Sequence, residues 1–161
     1  MARSANISVK IEGDKQLIRA LGSFKPTTQR KILRPAIAKA GRRLAKRAKQ
    51  GAPADTKNLK KSIGSVVRTY GSNVVSVIGP RVKFDAWYAH LVERGTAPHV
   101  LREADPNTGR GAIVHPGSTA NPFMAKAFQA MAGTTERQLY RDIQPEIEKQ
   151  VKKHTKKALL G

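Results

Sequence analysis

His99 and His115 lie in one 24-residue segment, Ala97 to Ala120, together with Glu103 and Asp105. Imidazoles and carboxylates are the donors of a metal-dependent hydrolytic site, so this segment is where such chemistry would sit. The spacing matches no metal-ligand pattern, and His90 and His154 lie outside the segment. Plain polar roles are expected for all four histidines, with no metal and no cofactor. Glu93 ends an apolar helical stretch, where a buried carboxylate could serve as a general base. No partner stands at a readable spacing. The expected role is therefore structural, with Glu93 accepting backbone or arginine hydrogen bonds near Gly95. A glycine-rich phosphate loop, Gly-x-Ser-x-Gly and His-Glu-x-x-His are all absent. Cysteine is absent too, which removes thiolate ligands and disulfides and points to a reducing compartment. No catalytic residue, enzymatic activity or small-molecule substrate is expected.

Charge is the louder signal. The chain of 161 residues has a formal net charge of +20. Residues 1–52 hold 14 Lys/Arg against 2 Asp/Glu, whereas residues 81–133 hold 6 against 4. Such asymmetry predicts one polyanion-facing surface. Its candidates are Lys39, Arg42, Arg43, Lys46, Arg47 and Lys49, which would face DNA phosphates without reading sequence, or an acidic partner. The plainer alternative is a solvated basic face with no partner. A second reading of the charge is a free cytoplasmic nucleic-acid-binding protein without sequence specificity.

The elements that position these residues read as one α+β domain. Asn6 to Glu12 alternates, with Ile7, Val9 and Ile11 on one face, and predicts a half-buried strand. Asp14 can cap a short helix carrying Leu17, Ile18 and Leu21. Thr27 or Thr28 can start a long helix with Ile32, Ala36, Ile37, Ala40, Leu44 and Ala48 at helical spacing, ended by Gly51. Pro35 predicts a kink or short break in it. Asp55 looks like the cap of a short helix, Lys57 to Ile63, closed by Gly64. Ser65 to Tyr70 and Val74 to Ile78, joined by Gly71-Ser-Asn73, predict a hairpin. Asp85 can cap a helix presenting Tyr88, Leu91 and Val92, with Gly95 as a left-handed stop.

A long loop, Ala97 to Ala120, should follow, since such segments usually work at an interface or are disordered. Asn121-Pro122 is a helix start, Gly133 its end, and Thr135 with Gln138 a capping box for the next. That last helix carries Leu139, Ile143, Ile147 and Val151, interrupted by Pro145, and residues 149–161 form a basic tail expected to fray. The fold class is thus a small antiparallel sheet, made of the N-terminal strand plus hairpin, packed against a long helix, with further helices in the C-terminal half. Trp87, Tyr88, Phe123 and Phe128 are expected in the core rather than as stacking platforms for bases. No apolar run reaches the ~18 residues of a membrane span, and Met1-Ala-Arg-Ser4 is not followed by an apolar signal segment.

Three tracts carry a family resemblance. Ala52-Pro-Ala-Asp-Thr-Lys-Asn-Leu-Lys-Lys-Ser-Ile63 resembles the APxDTGxLxxSI tract of a phage family. Tyr88-Ala-His-Leu-Val-Glu-Arg-Gly-Thr96 resembles its Y-x-x-x-V-E-x-G-T tract, and Pro122-Phe-Met-Ala-Lys-Ala127 its PF-[LM]-x-x-A tract. In this order the chain is similar, over roughly residues 6–135, to the tail-completion or neck proteins of long-tailed phages. These are also described as minor tail or head–tail joining proteins and include relatives of lambda gpZ. Lys57 stands where the family usually has glycine, so the turn after Asp55 is expected to be more helical. Arg94 replaces a commonly aromatic position, and Arg102 to Val114 has no counterpart.

The resemblance implies a non-enzymatic virion structural protein of the head–tail junction, assembled in the host cytoplasm. It implies a homomeric ring, hexameric in expectation, between a head-side connector or stopper and a tail terminator or tube protein, with genomic DNA passing through. Leu59, Ser62, Ile63, Tyr88, Leu91, Glu93, Gly95, Thr96, Pro122, Phe123 and Ala127 would be its structural motif residues. Pro98, His99, Ile113, Val114, His115 and Pro116 would make subunit contacts, with Ala112 to His115 added as a strand to a neighbour.

Overall fold

Apolar residues at helical spacing build the longest element of the first half, α2 (Pro26–Gly51). The structure is a computed structural model and describes residues 15–54, 57–71, 73–84, 86–104 and 110–159. The expected strand Asn6–Glu12 and the caps at Asp14, Asp55 and Asp85 lie outside the described residues. In order, α1 (Lys15–Gly22) precedes α2, then α3 (Asn58–Ser62), β1 (Ile63–Tyr70) and β2 (Asn73–Pro80). After a 3-10 turn at Val82–Phe84 come α4 (Ala89–Arg94), β3 (His99–Arg102), β4 (Ile113–His115) and α5 (Phe123–Leu159). The class is α+β, mostly helical, with two two-stranded antiparallel sheets, β1-β2 and β3-β4. No helix among the described residues is long and apolar enough to cross a membrane.

By their contacts the residues form two compact units, one of residues 1–44, 65–77 and 129–161, the other of residues 45–64 and 78–128. In the first unit Ile32 and Ala36 of α2 are buried with Leu139 and Ile143 of α5, and Leu17, Leu21, Phe24, Leu33, Ile37 and Ile147 pack around them. Burying one such Leu or Ile side chain is worth about 2 kcal/mol. That packing explains two departures from the sequence reading. α2 runs unbroken through Pro35, because Ile32 and Ala36 on either side are both anchored in the core. α5 likewise continues through Gly133 and Pro145 as one helix of 37 residues. Phe123 and Ala127 are buried at its start and Leu139 and Ile143 farther along, which outweighs the roughly 1 kcal/mol that a helical glycine costs. Thr135 is therefore helical rather than a cap, and Thr134 donates its hydroxyl to the Met131 carbonyl (3.1 Å).

Gly41 is the point where α2 approaches the first sheet. A Cβ there would overlap the Ser76 hydroxyl and lie 3.2 Å from Ser65 Cβ. In the second unit the buried residues include Ala48, Ala52, Leu59, Ser62, Ile63, Ala89, Phe123 and Ala127. The short helix α3 does not close at Gly64. Ile63 is already extended (φ −62°, ψ 126°) and passes straight into β1, while the Ser62 hydroxyl caps it by donating to the Leu59 carbonyl (2.7 Å). Lys57, at the other end, is not helical: it takes the left-handed conformation, φ 61° and ψ −8°. The turn thus keeps a glycine-like backbone without glycine. Trp87 leaves the expected aromatic cluster and is 70% exposed, whereas Phe123 is fully buried.

Among the described residues of the first unit one charged group is enclosed. The Asp142 side chain, 11% exposed, accepts from Arg43 Nη1 at Oδ2 and from Arg43 Nη2 at Oδ1 (3.2 Å), with Lys39 Nζ 3.5 Å away. The Arg43 hydrogen bonds hold its carboxyl below the ordinary 3.8, and the charges of Arg43 and Lys39 add to this against the opposing effect of burial.

Two outcomes are expected. A depressed folded-state pKa means that the ionised carboxylate contributes stability above the ordinary value, and that this is lost as pH falls through the folded value. Asp142→Asn should therefore lower stability at pH 7 by about 1–2 kcal/mol, since both cations are partly exposed. The deficit should shrink below pH 3.8, as followed by denaturant melts across pH. Lys57→Gly should stabilise by about 1 kcal/mol in the same assay, because glycine enters the left-handed region without strain.

Candidate assembly interface

The N-terminus of α5 has no acidic residue in its own first turn. Its orphan amides need acceptors from elsewhere. Glu93, at the end of α4, supplies them: Oε2 accepts from Met124 N–H and Oε1 from Ala125 N–H, both at 3.0 Å. A carboxylate bridging two amides at a helix N-terminus also meets the positive end of the helix dipole. The acceptor for these two amides is the Glu93 side chain. Asn121 contributes through its backbone, donating to the Val92 carbonyl (2.9 Å) and accepting from Phe123 N–H (2.7 Å). Glu93 is thereby placed as a structural anion, and the Tyr88–Thr96 and Pro122–Ala127 tracts become two halves of one joint. Of the tract residues, Leu59, Ser62, Ile63, Phe123 and Ala127 are buried, and Tyr88, Leu91, Glu93, Gly95, Thr96 and Pro122 are half-buried.

Between the two halves the chain leaves and returns through a crossing built on glycine. Gly95 has φ 73° and ψ 179°, positive in φ but not the left-handed helical stop expected. A Cβ there would stand 2.8 Å from Ala120 N, and one at Gly117 (φ 87°) 2.9 Å from the Ala97 carbonyl carbon. Thr96 and Ser118 exchange both backbone hydrogen bonds at 3.0 Å, and their hydroxyls meet at 3.1 Å. Above this bridge the segment is no structureless loop. It is a hairpin, β3 against β4, with His99 opposite His115, Val100 opposite Val114, Arg102 opposite Ile113, and a bulge at Leu101. Ile113–His115 therefore pairs within its own chain. Arg102 Nη2 closes the far end on the Gly111 carbonyl (2.7 Å).

The two histidines are stacked, their ring centroids 5.1 Å apart. His99 Nδ1 donates to the Ala97 carbonyl (3.0 Å), so it carries a proton, whereas His115 Nδ1 accepts from Gly117 N–H (3.0 Å) and does not. Each ring thus spends one nitrogen on the backbone at the base of the hairpin. Among the described residues no group of three His, Asp or Glu is placed to hold a metal ion. Pro98, His99, Ile113, Val114 and Pro116 are exposed, and His115 is half-buried. Val100, Leu101, Ile113 and Val114 are 46–61% exposed, an apolar surface that the chain itself leaves uncovered.

The cations of α2 divide by whether they reach Asp142. Lys39 and Arg43 turn to Asp142. Arg42, Lys46 and Lys49, spaced by four and three residues, share one stripe of the helix and are exposed, with no acidic partner among the described residues. Arg47, also exposed, donates to Gln50 Oε1 (3.3 Å). The Asp142 cluster, the Ser118 partner of Thr96 and the tight approach at Gly117 were missed in the sequence, since each pairs residues remote along the chain.

Glu93→Ala should lower stability by about 1–2 kcal/mol, the cost of orphaning two amides at a helix start, and Glu93→Gln by about half of that. Equilibrium denaturation measures both. Equal losses for Ala and Gln would mean that the charge contributes nothing.

The sequence profile of a family described as the bacteriophage HK97-gp10 tail component matches residues 15–95, half of the chain. The match runs from α1 to Gly95 and takes in the Ala52–Ile63 tract and the Glu93 side of the joint. No curated protein and no solved structure matches the chain.

Proposed function

That this chain belongs to the bacteriophage HK97-gp10 family of tail components is the premise from which we propose that it is a non-enzymatic structural protein of the phage neck. In this reading it completes the tail or joins it to the head. Copies form a homomeric ring between the head-side connector and the tail terminator or tube, around the path of the DNA. Family membership supports a structural protein of the virion tail. The order of the three tracts supports the tail-completion group that includes lambda gpZ.

The observation that carries the DNA path is the exposed stripe of Arg42, Lys46 and Lys49, cations with no acidic partner among the described residues. Polyphosphate backbones recognise such a face irrespective of base sequence. It binds weakly as a monomer and strongly only when many copies present it together.

The test separates neck from free binder. Arg42, Lys46 and Lys49 changed together to Glu should reduce infectious titre at least tenfold, a fall on the order of what losing several phosphate contacts does to binding. The fold should stay intact, because none of the three pairs with Asp142. A label on the protein's C-terminus should appear at the head–tail junction in electron micrographs of virions. Normal titre for the triple variant sinks the DNA-path reading, and label elsewhere sinks the neck reading. Tight binding of purified monomer to DNA, steeply weakened by salt, would instead favour a free nucleic-acid-binding protein.

A further inference from the structure

Of the described residues between Thr96 and Ser118, all but the half-buried His115 and Gly117 are exposed. Val100 and Val114 stand opposite each other, the His99–His115 pair is stacked at the next rung and so on the other face, and Leu101 lies at the bulge. An isolated two-stranded hairpin is marginal in water. This one is nevertheless fixed at its base by the bridge, by two histidine–backbone bonds and by the glycine crossing. Fixing a surface before it binds lowers the entropy lost on binding. An apolar patch of this kind on a soluble chain marks an interaction site.

Charge decides the partner. Two copies of a chain carrying +20 repel one another over most of their surface. In residues 97–120, however, Arg102 and Arg110 are offset by Glu103 and Asp105, so the segment is neutral. The hairpin is thus a place where a second copy can approach without electrostatic opposition and with apolar surface to bury.

We propose that the Thr96–Ser118 hairpin is the homotypic assembly arm of this protein, packing its Val100/Val114 surface against a second copy of the same chain. The inference rests on the ring reading above and gives it a contact. The self-association itself is independent of where the protein sits in a particle.

The native chain has no cysteine, so a photoreactive maleimide reports from one chosen position. Purified Leu101→Cys, labelled and irradiated at high salt to screen repulsion, should give conjugates of this chain with itself. The same label on Ala132→Cys, an exposed position on α5, should not. Adding Val100→Asp with Val114→Asp should cut the yield at least tenfold while leaving the melting temperature nearly unchanged, since both side chains are exposed. In assembled particles the Leu101→Cys conjugates should again be multiples of this chain. Absence of self-conjugates, equal yield from Ala132→Cys, indifference to the double aspartate, or conjugates only to a different virion protein would each overturn the proposal. Absence of the protein from particles, with self-conjugates still formed in solution, would overturn the neck reading and leave the arm standing.

Discussion

The carboxylate of Glu93 set on the two leading amides of α5 is the interaction from which the second unit takes its form. It fixes where a 37-residue helix begins. It also fixes the end of α4, whose Val92 carbonyl receives Asn121 N–H one step away. With both ends of the intervening segment held so close, the chain between them has to leave and return along almost the same line. Antiparallel pairing satisfies its backbone groups under that constraint. The glycines at the crossing follow from the same requirement, since no side chain fits between strands that pass so near each other. A single ionised group thus underlies a helix start, a crossing and a hairpin.

Much of this was legible in residue patterns wherever the determinant was local. The helical stripe of α2, the β1–β2 hairpin around Gly71, and the short helices α3 and α4 follow from spacing and turn chemistry over a few residues. The places where expectation failed share a different cause. Pro35, Gly133 and Pro145 are breakers by propensity, yet α2 and α5 pass through them because buried Ile32, Ala36, Leu139 and Ile143 outweigh a local loss of about 1–3 kcal/mol. The amides that Glu93 accepts from lie 31 and 32 residues away, and no spacing rule reaches that far. The pairing within Ala97–Ala120 was hidden for a related reason, because a four-residue strand facing a three-residue one with a bulge leaves no alternation to read. Lys57 shows the converse: a lysine in the left-handed region betrays, by its strain, a turn whose shape is imposed by its surroundings.

Basic charge is abundant, and its distribution carries more information than its sum. Lys39 and Arg43 are internal counterions to Asp142 and belong to the architecture of the first unit. Arg42, Lys46 and Lys49 beside them are exposed to solvent and to whatever anion arrives there. A helix with cations all round thus performs two tasks that net charge cannot separate, and one buried aspartate sorts them. The near-neutral hairpin is the complement of this arrangement.

The crossing at Gly95 and Gly117 also bears on the order in which the chain can fold. Bringing Glu93 to Met124 in an unstructured chain closes a loop of some thirty residues, and the entropic penalty of closure rises with the logarithm of that length. Once Thr96 and Ser118 have met, only a handful of residues still separate the carboxylate from its amides. The crossing and the carboxylate joint thus support each other: whichever forms first shortens the loop that the other must close.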